Sequence, residues 1–168
     1  MVEILFVCSG NTCRSAMAEA LLRVMGEETD IRDVTASSAG VYAMGGEPAS
    51  FGAMCAMDAL GADLSSHRAT QLTRGQIENA DLILCMGQSH MRAVTSLCPE
   101  AAQKTRLLMD FAAGIQEDVQ DPFGGDEAVY AACADQLCLA VAACLVRLRP
   151  DKADAIRSLY AQNEGYDP

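Results

Sequence analysis

Apolar and polar positions alternate between two patterns along the chain. Ile4 to Cys8 is an unbroken apolar run, the pattern of a short strand buried on both faces. Asp81-Leu82-Ile83-Leu84-Cys85-Met86 repeats it. Val34 to Ser38, ending at Gly40, and Thr105 to Met109 predict two further strands. Between them the spacing is helical. Met17, Leu21 and Val24 fall at i, i+4 and i+7, which predicts a helix from Ser15 to about Met25. Pro48, after Glu47, marks the first turn of a helix running to about Leu60, with Gly61 as its stop. Ser89 to Leu97 is helical, with Pro99 just beyond. Asp126 opens a long helix to about Leu148, with an apolar stripe of Val129, Cys133, Leu137, Val141, Cys144, Leu145 and Leu148, and Pro150 closes it. The polar tail from Asp151 predicts a short surface helix that frays before Pro168. There is no internal repeat and no low-complexity linker, so residues 1–150 form one domain, followed by the tail 151–168. Strands alternating with helices indicate an α/β fold with a parallel sheet, in which ligands bind at the carboxyl ends of the strands. The first strand ends at Cys8.

Composition narrows the function classes. The chain has 168 residues and a net charge of −11. That length is ample for one buried core. The charge argues against nucleic acid or an anionic membrane as a partner. It suits solubility, and it would also favour basic protein segments. The longest apolar run, Leu137 to Val146, is too short to span a bilayer. The N-terminal segment lacks the basic region of a signal peptide. The eight cysteines, without an export signal, are expected to be reduced, which points to the cytoplasm. They form no Cys-x-x-Cys pair and lack the His partners of a zinc site, so no metal or other cofactor is expected.

The chemistry concentrates in Cys8-Ser9-Gly10-Asn11-Thr12-Cys13-Arg14-Ser15, between the first strand and the first helix. A loop wrapped ahead of a helix N-terminus turns its backbone N–H groups inward and makes an anion nest. Gly10 and Asn11 tolerate the left-handed backbone angles that a tight wrap needs. Arg14 can hold two phosphate oxygens with its planar fork. The same positive surroundings favour the thiolate form of Cys8, the form that attacks phosphorus. Ser15 is placed to stabilise that thiolate. Cys13, close to Cys8 in a curled loop, is either the partner of a reversible protective disulfide or a small packing residue.

Val-Cys-x-Gly-Asn-x-Cys-Arg-Ser just after the first strand resembles the signature loop of the low-molecular-weight protein tyrosine phosphatases. Further family-like pieces follow in order: Ser38-Ala39-Gly40, Gly46-Glu47-Pro48-Ala49, His67-Arg68-Ala69, Ala80-Asp81-Leu82-Ile83 and Asp121-Pro122-Phe123-Gly124-Gly125. The resemblance covers about Val2 to Leu148. It implies a three-layer α/β/α domain with four parallel strands in the order 2-1-3-4 and a phosphate-binding loop, residues Ser9 to Arg14, after strand 1. It implies action on phosphorylated proteins through a cysteinyl-phosphate, with Cys8 as nucleophile, Arg14 and Ser15 assisting, and Asp121 as general acid. The oligomeric state is not fixed by the sequence, and a monomer is the favoured expectation. Ordinary aspartate is ionised at neutral pH, but the repulsion of a bound phosphate and a thiolate favours its protonated form. Arg14 and the backbone donors then stabilise the transferring group without a metal.

Thr12 and Phe123-Gly124-Gly125 depart from the tyrosine-specific pattern, which has isoleucine in the loop and two aromatics after Asp-Pro. Both resemble the bacterial protein-arginine phosphatases. Thr12 offers a hydroxyl to the N–H donors of a phosphoguanidino group, and Phe123 a ring to stack on its plane. Phosphoarginine is therefore the expected substrate, with phosphotyrosine as the alternative. Arsenate reduction, the distant alternative, would need a Cys-x6-Cys pair after the third strand, whereas Cys85 lies inside that strand and the next cysteine is Cys98. Cys133, Cys138 and Cys144 read as core. His67 and His90 read as local hydrogen-bonding residues and Asp81 as a turn cap. Tyr160 and Tyr166 are expected to be exposed in the tail.

Overall fold

A computed structural model describes residues 1–161; Tyr166 lies outside them. The elements run β1 (Val2–Cys8), α1 (Arg14–Glu28), β2 (Val34–Gly40), α2 (Phe51–Ala59), α3 (Arg74–Asn79), β3 (Leu82–Cys85), α4 (Gln88–Leu97), β4 (Thr105–Leu107), α5 (Leu108–Ala113), α6 (Glu127–Leu148) and α7 (Ala153–Ala161). The four strands form one sheet in the order β2-β1-β3-β4, every pair parallel, as expected. Side chains alternate across it. Ile4, Phe6 and Cys8 face a core shared with α1, α2, α6 and α7, whereas Leu5 and Val7 face a second core with Ile77, Val94, Cys98 and Ala101. The sheet is thus covered on both faces, which is why its two central strands, β1 and β3, read as continuous apolar runs.

Several boundaries differ from the sequence expectation. The helix assigned to Pro48 starts at Phe51, with Ser50 capping it through Ala53 N. Pro48 is instead extended and bridges Arg68. The fourth strand stops at Leu107, because Leu108 and Met109 open α5, which Gly114 ends in the left-handed conformation (φ 70°). α6 has the length and mean hydropathy of a membrane span. Its inner face, Tyr130, Cys133, Leu137, Val141, Cys144 and Leu145, is packed in the core. Val129, assigned to that stripe, is 45% exposed, and Tyr130 takes its place. The tail helix forms as α7, but it does not lie loosely on the surface: Ile156 is buried, and the half-buried Tyr160 donates its hydroxyl to Met25 Sδ at 3.0 Å.

Candidate active site

β1 sits in the middle of the sheet, so its carboxyl end opens between β2 and β3. Residues 8–14 wrap there and lead straight into α1, whose N-terminal N–H groups have no intrahelical partner. Of the two residues credited with left-handed tolerance, Asn11 uses it (φ 57°) and Gly10 does not. Asn11 is fully buried and strung between neighbours. Its side-chain N–H groups donate to Ser15 Oγ at 2.8 Å and Ser38 Oγ at 2.9 Å. Its side-chain oxygen accepts from Thr70 N at 2.9 Å, and its carbonyl lies 2.7 Å from His67 Nε2. One amide therefore pins the loop to α1, to β2 and to the segment before α3. Ser38 also bonds Glu19, which extends the network.

Cys8 Sγ lies 2.8 Å from Ser15 Oγ at the base of a cleft of about 310 Å³. The cleft is lined by residues 8–14 together with Tyr42, Met44, Glu47, Asp121 and Phe123. It therefore gathers Cys8, Ser9, Gly10, Asn11, Thr12, Cys13, Arg14, Asp121 and Phe123, all singled out from the sequence, with Ser15 just behind them. The buried Arg14 guanidinium donates to Val119 O at 3.0 Å and stands 3.4 Å from Asp121 Oδ2. Asp121 is half-exposed and accepts from Phe123 N at 3.1 Å, a short turn that Gly124 completes with φ 78°. Phe123 is 79% exposed at the cleft mouth. Asp126 caps α6 through Val129 N, so the acid-bearing loop is tied at its far end to a long, rigid helix.

Cys13 is buried, with Ser50 Oγ at 3.2 Å and the Tyr130 hydroxyl at 3.5 Å from its sulfur. Burial, and the bond to Cys13, raise the Tyr130 phenol above its usual range. Burial pushes the Cys85, Cys133 and Cys144 thiols up to about 12, so they stay protonated. Cys133 and Cys144 take the core role read for them, while Cys138, read the same way, is only partly buried against that core. Asp81, read as a turn cap, instead accepts from Glu3 N at 2.8 Å and ties the start of β3 to β1 at the end of the sheet away from the cleft. The two histidines do more than local bonding. His67 reaches Asn11, and His90 Nε2 lies 2.9 Å from Ser9 Oγ. Both contacts are made by tertiary folding; the sequence carried a signal only for His67, in the family-like His67-Arg68-Ala69, and none for His90.

A relative from Geobacillus stearothermophilus, named as a protein-arginine-phosphatase, is 42% identical over 135 residues, 80% of this chain and 88% of the relative. A probable low molecular weight protein-tyrosine-phosphatase, EpsP of Ralstonia solanacearum, is 41% identical over 71% of this chain and 77% of its own length. Among solved structures, YwlE arginine phosphatase, in a form with serine in place of the active-site cysteine and that serine phosphorylated, superposes with a TM-score of 0.83 at 32% identity, over 92% of this chain and 99% of that one. The family model described as low molecular weight phosphotyrosine protein phosphatase matches residues 3–154, and the chain belongs to that family.

Proposed function

We propose that the protein hydrolyses phosphoarginine on proteins through a cysteinyl-phosphate. The observation that carries this reading is the convergence, at one cleft, of Cys8 beside Ser15 with Arg14 and Asp121 3.4 Å apart. In the first step the Cys8 sulfur forms a bond to phosphorus and the bond from phosphorus to the guanidino nitrogen breaks. Asp121 delivers a proton to that nitrogen, which keeps the electron pair of the broken bond, so the guanidino group leaves protonated and not as an anion. Arg14 and the loop N–H groups hold the phosphoryl oxygens in both steps. The Asp121 carboxylate then takes a proton from water, which attacks phosphorus, and the sulfur–phosphorus bond breaks. Ser15 donates to the departing thiolate. The phosphorylated serine of the YwlE variant supports a covalent intermediate at this place.

Thr12 and Phe123 support arginine as the residue. Both line the cleft, and the named relative with the higher identity is a protein-arginine-phosphatase. The eight free thiols support a cytoplasmic setting. The test is a paired assay on phosphoarginine and phosphotyrosine peptides. Phosphoarginine should give the larger kcat/KM. A larger value for phosphotyrosine would assign the other substrate, and no turnover of either would end the phosphatase reading. Cys8→Ser should abolish turnover, and Asp121→Asn should slow it by about 10²–10⁴.

A further inference from the structure

Side chains anchor the phosphate-binding loop at several points, and the ties at Asn11 and Ser9 are unequal. Asn11 makes four bonds. Near Cys8, the tether is His90, the third residue of α4, whose Nε2 lies 2.9 Å from Ser9 Oγ. The imidazole is 3% exposed. Its Nδ1 is buried without a hydrogen-bond partner, and no other side-chain nitrogen or oxygen among the described residues is. Native proteins pair nearly all such atoms, so an orphan asks for a reason.

The charged groups that act on the ring are Arg14, Asp118 and Asp121. Burial, and then the Arg14 charge, hold its pKa at about 4, against the opposing pull of the two aspartates. At neutral pH the ring therefore carries one proton, and there are two places for it. A proton on Nδ1 would leave a buried N–H donor unpaired, in the field of a guanidinium. A proton on Nε2 leaves only an unpaired lone pair, which a nearby cation favours. Orphaned donors are also rarer than under-used acceptors in folded proteins. The second tautomer makes Nε2 the donor and Ser9 Oγ the acceptor. The Ser9 hydroxyl proton is then free to point elsewhere, and Ser9 lines the cleft.

We infer that His90 is a positioning residue of this reaction: by donating from Nε2 to Ser9 Oγ it turns the Ser9 hydroxyl proton toward the phosphoryl oxygens. The inference rests on the phosphatase reading of the cleft. The orphaned Nδ1 is the consequence of holding one tautomer. Ser9 thereby adds a donor to the backbone nest on the side of the loop that Asn11 does not brace.

The experiment compares wild type, His90→Leu, His90→Gln, Ser9→Ala and the double variant Ser9→Ala/His90→Leu. The readouts are kcat/KM for p-nitrophenyl phosphate and the inhibition constant of inorganic phosphate. Leucine fills the site without donating, so both constants should worsen by about 10-fold, the scale of one hydrogen bond to a charged group. Ser9→Ala should cost about the same. The double variant should be no worse than either single one, because both remove the same bond. Glutamine carries a side-chain N–H at comparable reach and should recover most of the loss. Multiplying effects in the double variant, or a folded His90→Leu with both constants unchanged, would overturn the inference. If His90→Leu does not fold, Ser9→Ala decides alone: undiminished phosphate affinity overturns it. A wild type that neither turns over p-nitrophenyl phosphate nor binds phosphate would instead refute the phosphatase reading.

Discussion

Thr12 stands in the loop one residue after the left-handed Asn11, and its side chain is half-buried at the cleft wall. Among the described residues its hydroxyl has one hydrogen-bond partner, Cys13 Sγ at 3.7 Å, a weak contact that a substrate could displace. A phosphoguanidino group brings N–H donors to this wall, and a phosphotyrosine ring brings apolar edge. Thr12→Ile removes the acceptor and adds apolar bulk. It should lower kcat/KM for phosphoarginine peptides and raise it for phosphotyrosine peptides, each by about 10- to 200-fold. Opposite signs cannot come from lost stability, which would slow both. Equal slowing of the two would make Thr12 scaffolding and leave Phe123 to carry the choice of substrate. Cys13 is placed differently from its neighbour. Ser50 and Tyr130 hold its sulfur, so a disulfide with Cys8 would first have to break those contacts.

The end of β2 is the floor under the loop. Gly40 pairs with Cys8 in register, and a Cβ built on it would lie 2.4 Å from Ser9 O and 2.9 Å from Asn11 N. Both are backbone atoms, which cannot turn aside as a side-chain tip can. Gly40→Ala should therefore displace the loop, lower kcat/KM by at least about 10-fold, and cost roughly 1–3 kcal/mol of stability. Gly75→Ala is the control. It lies in α3 with open space around it, and the change should stabilise by about 0.5–1 kcal/mol with activity intact. Equal activity losses in both variants would show that the loop is not what Gly40 serves. The same elements show where the sequence was readable. β1 and β3 announce themselves because both faces of each are buried. The loop does so because its chemistry is contiguous between strand and helix. α3 passes unnoticed: it is six residues long and buries only Ile77, although Thr73 and Gln76 form a capping box at its start. The first two residues of α5, Leu108 and Met109, read as the end of β4 because a six-residue helix carries too little periodicity to separate it from a strand. The partners of the site, Ser38, His67, Thr70, His90 and Val119, come from four separate stretches of chain. Parallel topology, not local pattern, delivers them to the loop.

Across the whole molecule, α1 ties the site to the opposite end of the fold. Arg14 begins the helix at the phosphate-binding loop, and its last turns meet α7 through Met25 and Tyr160, with Lys152 Nζ donating to Thr29 O at 3.1 Å just beyond. Fifteen residues of α-helix separate these ends by roughly 22 Å. The stability carried at the α7 end should therefore be separable from the chemistry at the loop. Ile156 tests this, because it is 1% exposed and packs in the larger core. Truncating it to alanine removes three buried carbons, and the resulting loss should be about 2–5 kcal/mol. For a domain of this size that lowers Tm by roughly 4–20 °C. Below the transition, kcat/KM should stay within about twofold of wild type. The measurement is a thermal melt of Ile156→Ala beside initial rates at a temperature where both proteins are folded. An unchanged Tm would mean that α7 contributes nothing to the fold. A lowered kcat/KM in fully folded protein would mean that α1 transmits strain from Met25 to Arg14, and that the two ends of the molecule are coupled.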